Sequence, residues 1–389
     1  MARRTYTSAH TANLVSMERL IANVLIGCLV ISLNLSPAVA SVKPGAVCKQ
    51  AGKVVKSAGM NYKCVKSGKK LLWGKGVVVL PTAFENLFEN RKGIGLSAWQ
   101  KSSEIIKSNQ NKSGTLEVFT GPNTKPNFDD YPRPIGLVSS LFPARREPVK
   151  TIVIRYQYVD IDWAEATLLS KLTSEEFTSL NNDEVRKDII SACQAFSKNC
   201  RGANQKTFMS GLNLIIQGVP NQVDSVDPTD KFRRRTGMLE AHEYFHALQR
   251  IPIMGKTSVW PHAWFREGSA EWVQNIAVNF NDYKTYRDFL AINCENNCSR
   301  LSEGDIVEFF ESSKENYTPP KFDQFLNYNL SSLFIEALVA LKGPDTLIDI
   351  YEQMGKQLTF EQAFKATYGV EWSYALPILA KTIYANLES

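Results

Sequence analysis

Apolar and polar positions divide the chain into two strand-like runs followed by a long series of helical ones. TIVIRYQYVDI (151–161) is rich in β-branched and aromatic residues and predicts a strand, and GLNLIIQGV (211–219) predicts a second. Helical patterns occupy 164–180 and 183–197. TGMLEAHEYFHALQR (236–250) predicts a helix with Thr236 as N-cap and Pro252 just past its end. AWFREGSAEWVQNIAV (263–278) predicts another. From 330 onward the chain is helical, through LSSLFIEALVALKG, DTLIDIYEQMG and TFEQAFKATYG, and Thr359 with Gln362 has capping-box spacing. Upstream, LPTAFENLFENRKGIG (80–95) looks helical, and FTGPNTKPNFDDYPRPIG (119–136) reads as a long loop. There is no internal repeat. Strands first and helices afterwards predict an α+β fold with two lobes.

The first 75 residues follow different rules. Arg3, Arg4 and Arg19 precede an apolar run from Leu20 to Leu35, and Ala38 and Ala40 form a small-residue cleavage site. Residues 1–40 therefore read as a secretory signal peptide, in preference to a membrane anchor or to lipidation at the LIGC sequence of residues 25–28. Residues 41–75 hold nine lysines and no acidic residue, in short strand-like pieces separated by Gly and Ser turns. The whole chain carries +6 and the leader +2, so residues 76–389 carry −5, and the basic character belongs to this small segment alone. A unit so small needs a covalent staple, and Cys48 and Cys64 bracket a hairpin-sized loop within it. Beyond Cys28 in the leader, six cysteines fall into three local pairs. Of the 15 possible connectivities, this clustering favours 48–64, 193–200 and 294–298, which suits an oxidising, extracytoplasmic setting.

Candidate chemistry centres on LEAHEYFHALQ (239–249). His242 and His246 are four apart, so a helix sets both imidazoles on one face, where they can share an ion. Glu243 is turned by about 100°, beside that ion. This HExxH arrangement supplies two metal ligands and a general base. A catalytic zinc needs a third protein ligand. Glu267 and Glu271 lie downstream in WFREGSAEW, again four apart, and Trp264, Phe265 and Trp272 predict that they are buried. A buried carboxylate requires a partner or a metal.

These two helices resemble the gluzincin metallopeptidases, the broad thermolysin and aminopeptidase group, in which an HExxH helix is followed after roughly twenty residues by a helix carrying a glutamate ligand, often within W-x-x-E-G. The resemblance implies a zincin-like two-lobed fold, with a mixed sheet, an active-site helix and a helical C-terminal lobe. It also implies one Zn2+ held by His242, His246 and Glu267, with Glu243 as base and Glu271 orienting a ligand histidine. Tyr328, opening YNLSSLFIEAL (328–338), becomes the candidate oxyanion donor, with a packing role as its alternative. Strand 211–219 becomes the edge that receives an extended peptide. His262 is left a structural or substrate-side role. The resemblance is specific over 236–276, suggestive over 325–389 and thin before 150. Residues 43–75 in turn resemble a cysteine-paired β module of exported actinobacterial proteins, through Gly59, Tyr62, Cys64 and Trp73. Its lysines suit an anionic cell-wall polymer or membrane surface, or simply a solvated cap.

The expected organisation is a signal peptide (1–40), a small disulfide-stapled basic β module (41–75), a linker or N-terminal subdomain (76–150) and a gluzincin-like peptidase domain (151–389). The expected function is that of a secreted or cell-surface zinc peptidase acting on peptide or protein substrates. Its rivals are a catalytically idle binding protein on a peptidase scaffold and a metal-dependent hydrolase of non-peptide amides. There is no GxSxG, P-loop or dinucleotide fingerprint. KFRRR (231–235) lacks interleaved aromatics, which argues against nucleic acid and leaves a solvated segment or nicking site.

Overall fold

The computed structural model describes residues 42–388, apart from 110–112, 181, 195–197, 223–227, 257–259, 314–316 and 318. The predicted leader lies outside the described residues. The Lys-rich segment forms an antiparallel meander of β1 (Val54–Ser57), β2 (Met60–Ser67), β3 (Lys70–Trp73) and β4 (Val77–Val78), with β2 pairing to the other three. The β1–β2 turn uses positive φ at Ala58 and Gly59, which matches the twist of a tight hairpin. Tyr62 and Cys64 point inward, and Cys48–Cys64 closes the module.

The expected helix over 80–95 is instead two 3-10 turns, Phe84–Asn86 and Arg91–Gly93, ahead of α1 (Ile94–Ser108). The Asn86 amide oxygen accepts from the backbone N–H groups of Thr82 and Ala83, a local alternative to helical pairing. β5 (Thr115–Thr120) and α2 (Pro132–Leu141) follow, and Pro132 at the first helical position ends the predicted loop early. Next come β6 (Lys150–Tyr156), α3 (Ile161–Lys171), α4 (Ser174–Ser179) and α5 (Asn182–Ala192). The short pair β7 (Cys193–Gln194) and β8 (Asn199–Cys200) is closed by Cys193–Cys200 and leads to β9 (Ala203–Thr207) and β10 (Leu212–Gly218).

The main sheet has the order β5–β6–β10–β9; β5, β6 and β10 are parallel, and β9 runs antiparallel to β10. β6 and β10 are covered on both faces, which explains their continuous apolar runs. Ile152, Ile154, Leu214 and Ile216 pack under α3 and α5, while Val153 and Ile215 face the larger helical core. Residues 76–150 contribute β5 to this sheet and α1 and α2 to that core. The peptide-receiving edge expected at 211–219 is corrected. Among the described residues β10 lies between β6 and β9, and β9 is the edge strand on that side of the sheet.

The helical half begins with α6 (Pro228–Thr236) and α7 (Met238–Arg250). Thr236 ends α6 and does not cap α7. The cap is Gly237, at φ +85°, where a Cβ would stand 2.7 Å from the Phe128 ring. α8 (Ala263–Val278) follows, with α9 (Tyr283–Cys298), α10 (Glu303–Ser312), α11 (Asn329–Lys342), α12 (Asp345–Met354), α13 (Phe360–Tyr368) and α14 (Trp372–Leu387). Cys294–Cys298 joins two turns of α9, completing the three expected pairs. Three disulfides point to an oxidising compartment outside the cytoplasm. Among the described residues no helix is long and apolar enough to cross a membrane. The capping box at Thr359 and Gln362 forms as expected.

Candidate metal centre

α7 and α8 pack against each other, and their facing sides are buried. His242 Nε2 lies 3.6 Å and His246 Nε2 3.4 Å from Glu267 Oε2. The three side chains form a group whose ligand atoms all lie within 4.8 Å of one another. Ligands about 2.05 Å from a tetrahedral ion stand roughly 3.3 Å apart, so two of these spacings match the edges of such a site. The residues expected as the ligand set are thus brought together, and the group can hold a metal ion.

Each histidine is oriented from behind. Gln249 donates from Nε2 to the Arg266 carbonyl and to Ser269 Oγ, at 2.9 and 2.8 Å. Its Oε1 therefore faces His246 Nδ1, 2.7 Å away, so that ring nitrogen carries the proton and Nε2 keeps its lone pair for the ion. Glu271 Oε2 stands 3.7 Å from His242 Nδ1, near enough to favour a proton there but beyond direct hydrogen-bond range. Glu271 Oε1 accepts from Asn293 at 2.9 Å and from Arg233, whose same Nη2 donates to Asn293 Oδ1 at 3.0 Å. Arg266 Nε bonds Glu267 Oε1 at 2.9 Å, leaving Oε2 toward the histidines.

The basic run 231–235 is therefore not the solvated segment expected. It lies on α6, where Arg233 secures Glu271. Arg234 is buried, bonding Asp230 and the carbonyls of Arg201 and Gly218. This ties the helix to the ends of β9 and β10.

Charge at the centre is finely balanced. Burial raises Glu243, against the pull of both histidines, giving a carboxylate that accepts protons more readily than usual. Burial also pushes Glu267 up, but His246, His242 and Arg266 hold it well below the carboxylate range. Burial pushes His246 down, yet the adjacent Glu267 more than reverses this.

The centre opens into a cleft of about 550 Å³ lined by Glu243, β9 residues 203–205, Trp260, Tyr317 and Tyr328. Tyr328 stacks on His242 with ring centroids 6.0 Å apart, and its hydroxyl meets that of Tyr317. Burial drives Tyr317 up to about 12 and Tyr328 further, so both phenols stay protonated donors at neutral pH. The Arg250 and Arg266 guanidiniums stack on Trp260 at 4.8 and 5.4 Å. His262 precedes α8, packs on Phe360 and lies 3.5 Å from Glu361.

Sequence reasoning missed Gln249, Arg233, Asn293, Arg266 and Tyr317. Gln249 alone had a local signal, three residues past His246 on the same helix. Gly268, directly after Glu267, allows a close approach, since a Cβ there would lie 2.5 Å from Ser331 Cβ on α11. α11 begins next to Tyr328, so this contact brings the tyrosine to the histidines. Comparison with known protein families, curated sequences and solved structures finds no match for this chain.

Proposed function

We propose that the protein is a zinc-dependent peptidase with a zincin-like, two-lobed arrangement and a glutamate general base. The observation that carries this reading is the convergence of His242, His246 and Glu267 with the raised carboxyl of Glu243 beside them. The donor set suits zinc: two imidazoles, His246 with its Nδ1 bonded to Gln249 and His242 with its Nδ1 facing Glu271, and one carboxylate already fixed by Arg266. When bound, zinc lowers the pKa of its water and polarises a carbonyl.

The protein's own groups do the rest. Glu243 takes a proton from the attacking water and delivers it to the leaving nitrogen. The Tyr328 hydroxyl, held by Tyr317, donates to the oxygen on which negative charge develops. Among the described residues β9 is an edge strand, and it lies on the cleft wall, suited to an extended peptide backbone.

The test compares residues 41–389 with Glu243→Gln on a mixed peptide library with zinc present, cleavage being read by mass spectrometry. Cleavage by the wild type alone is expected, with equal zinc content in both. No cleavage by either protein, with zinc bound in both, would turn the reading toward a binding protein on this scaffold. His246→Ala should lose the metal itself.

A further inference from the structure

The small basic sheet presents a surface that the peptidase reading does not use. Cross-strand partners share one face of a sheet. Here Val54 pairs with Lys63, both Lys56 and Val77 pair with Asn61, and Val65 pairs with Leu72, which bridges to Val47. One face thus collects Val47, Val54, Val65 and Val77, all exposed, at 73, 55, 40 and 68%. Lys56, Lys63 and Lys70 share it, while Tyr62 and Cys64 point to the opposite side and are buried. The other six lysines of the segment are exposed as well. Among the described residues, one lysine of the segment meets a carboxylate, Lys56 with Glu89 at 3.4 Å.

Each part of this surface constrains the partner. Nine lysines without an acid require an anionic one. A soluble phosphate polymer would satisfy the lysines but leave four valines in water. A bilayer surface takes both, as ammonium groups meet headgroup phosphates and valine methyls enter the headgroup–acyl boundary. The −5 carried by residues 76–389 is repelled by the same surface, which orients the module toward it. We propose that this valine–lysine face docks the protein on a membrane surface rich in anionic phospholipid. The assignment is independent of the peptidase reading.

The test is cosedimentation of the compact unit, residues 42–389 with disulfides formed, with phosphatidylcholine vesicles and with vesicles containing a third phosphatidylglycerol. Binding is expected only with phosphatidylglycerol, weakening as salt rises. Lys63→Gln with Lys70→Gln should weaken it about 25-fold, at roughly fivefold per lysine. Val54→Ser with Val65→Ser should weaken it several-fold and leave the salt dependence unchanged. All four positions are exposed, and circular dichroism checks that each variant is folded. Absence of binding to the mixed vesicles overturns the proposal. So does wild-type binding by the serine pair with competition from soluble polyphosphate, which would identify a polymer as the partner.

Discussion

Arg233→Gln should weaken the metal centre without altering any ligand. Glu271 is 2% exposed. One of its oxygens accepts from Arg233 and Asn293, and the other faces His242 Nδ1 at 3.7 Å. Removing the guanidinium leaves a buried carboxylate with one neutral donor. Breaking a fully buried pair costs about 3–5 kcal/mol. The Arg233 side chain is 22% exposed, so water replaces part of it, and about 2 kcal/mol is the working figure for the fold. The carboxylate then turns toward water, and the His242 ring loses the group that selects its tautomer. Loss of such an orienting partner lowers metal affinity about 10–100-fold, or roughly 1.4–2.7 kcal/mol. The assay is zinc competition against a chromophoric chelator at neutral pH, with thermal unfolding in chelator measured alongside. Arg233→Lys should recover part of the loss, since it keeps the charge but not the planar fork. Arg233→Gln and Glu271→Gln act through one carboxylate, so the double variant should lose far less than the sum of the two. Wild-type zinc affinity in Arg233→Gln, or strict additivity in the double variant, would refute the reasoning.

Gly268→Ala tests how α8 positions the tyrosine. Its Cβ would stand 2.5 Å from Ser331 Cβ and 2.9 Å from the Ser331 carbonyl carbon, so α11 must withdraw by about 1 Å, at roughly 1–3 kcal/mol. Zinc content should hold, while turnover falls up to about 100-fold through displacement of Tyr328; unchanged turnover would remove Tyr328 from the mechanism. The metal-free protein should also respond to pH. His246 lies above its ordinary 6.5 when folded, so its contribution is fully present below that value and is lost as pH rises through the folded one. Melting temperature in chelator should therefore fall above about pH 6.5, while the rise produced by zinc grows over the same range, because the metal displaces that proton. A zinc-induced rise that is flat with pH would contradict the ligand role of His246.

The candidate metal ligands were legible because they are coded locally. Four-residue spacing on a helix is a statement about one face, and it places His242 with His246 wherever the helix lies. Glu267 needed only a second helix at a familiar interval. What orients these ligands is coded by tertiary contact. Arg233 and Asn293 reach Glu271 from 38 and 22 residues away, on helices with no periodic relation to it. An arginine in KFRRR looks the same in sequence whether it meets water or a buried carboxylate.

The sheet edge follows a related logic in reverse. GLNLIIQGV was expected to be the peptide-receiving edge through the family resemblance, but a strand apolar on both faces belongs between neighbours. The edge strand, ANQKT, is polar because one side of it faces the cleft and solvent, and that polarity hid it. In this fold the groups that would bind metal stand out because their spacing is strict. The groups that would hold a substrate and tune the metal stand out only once the helices and the sheet edge are assembled around them.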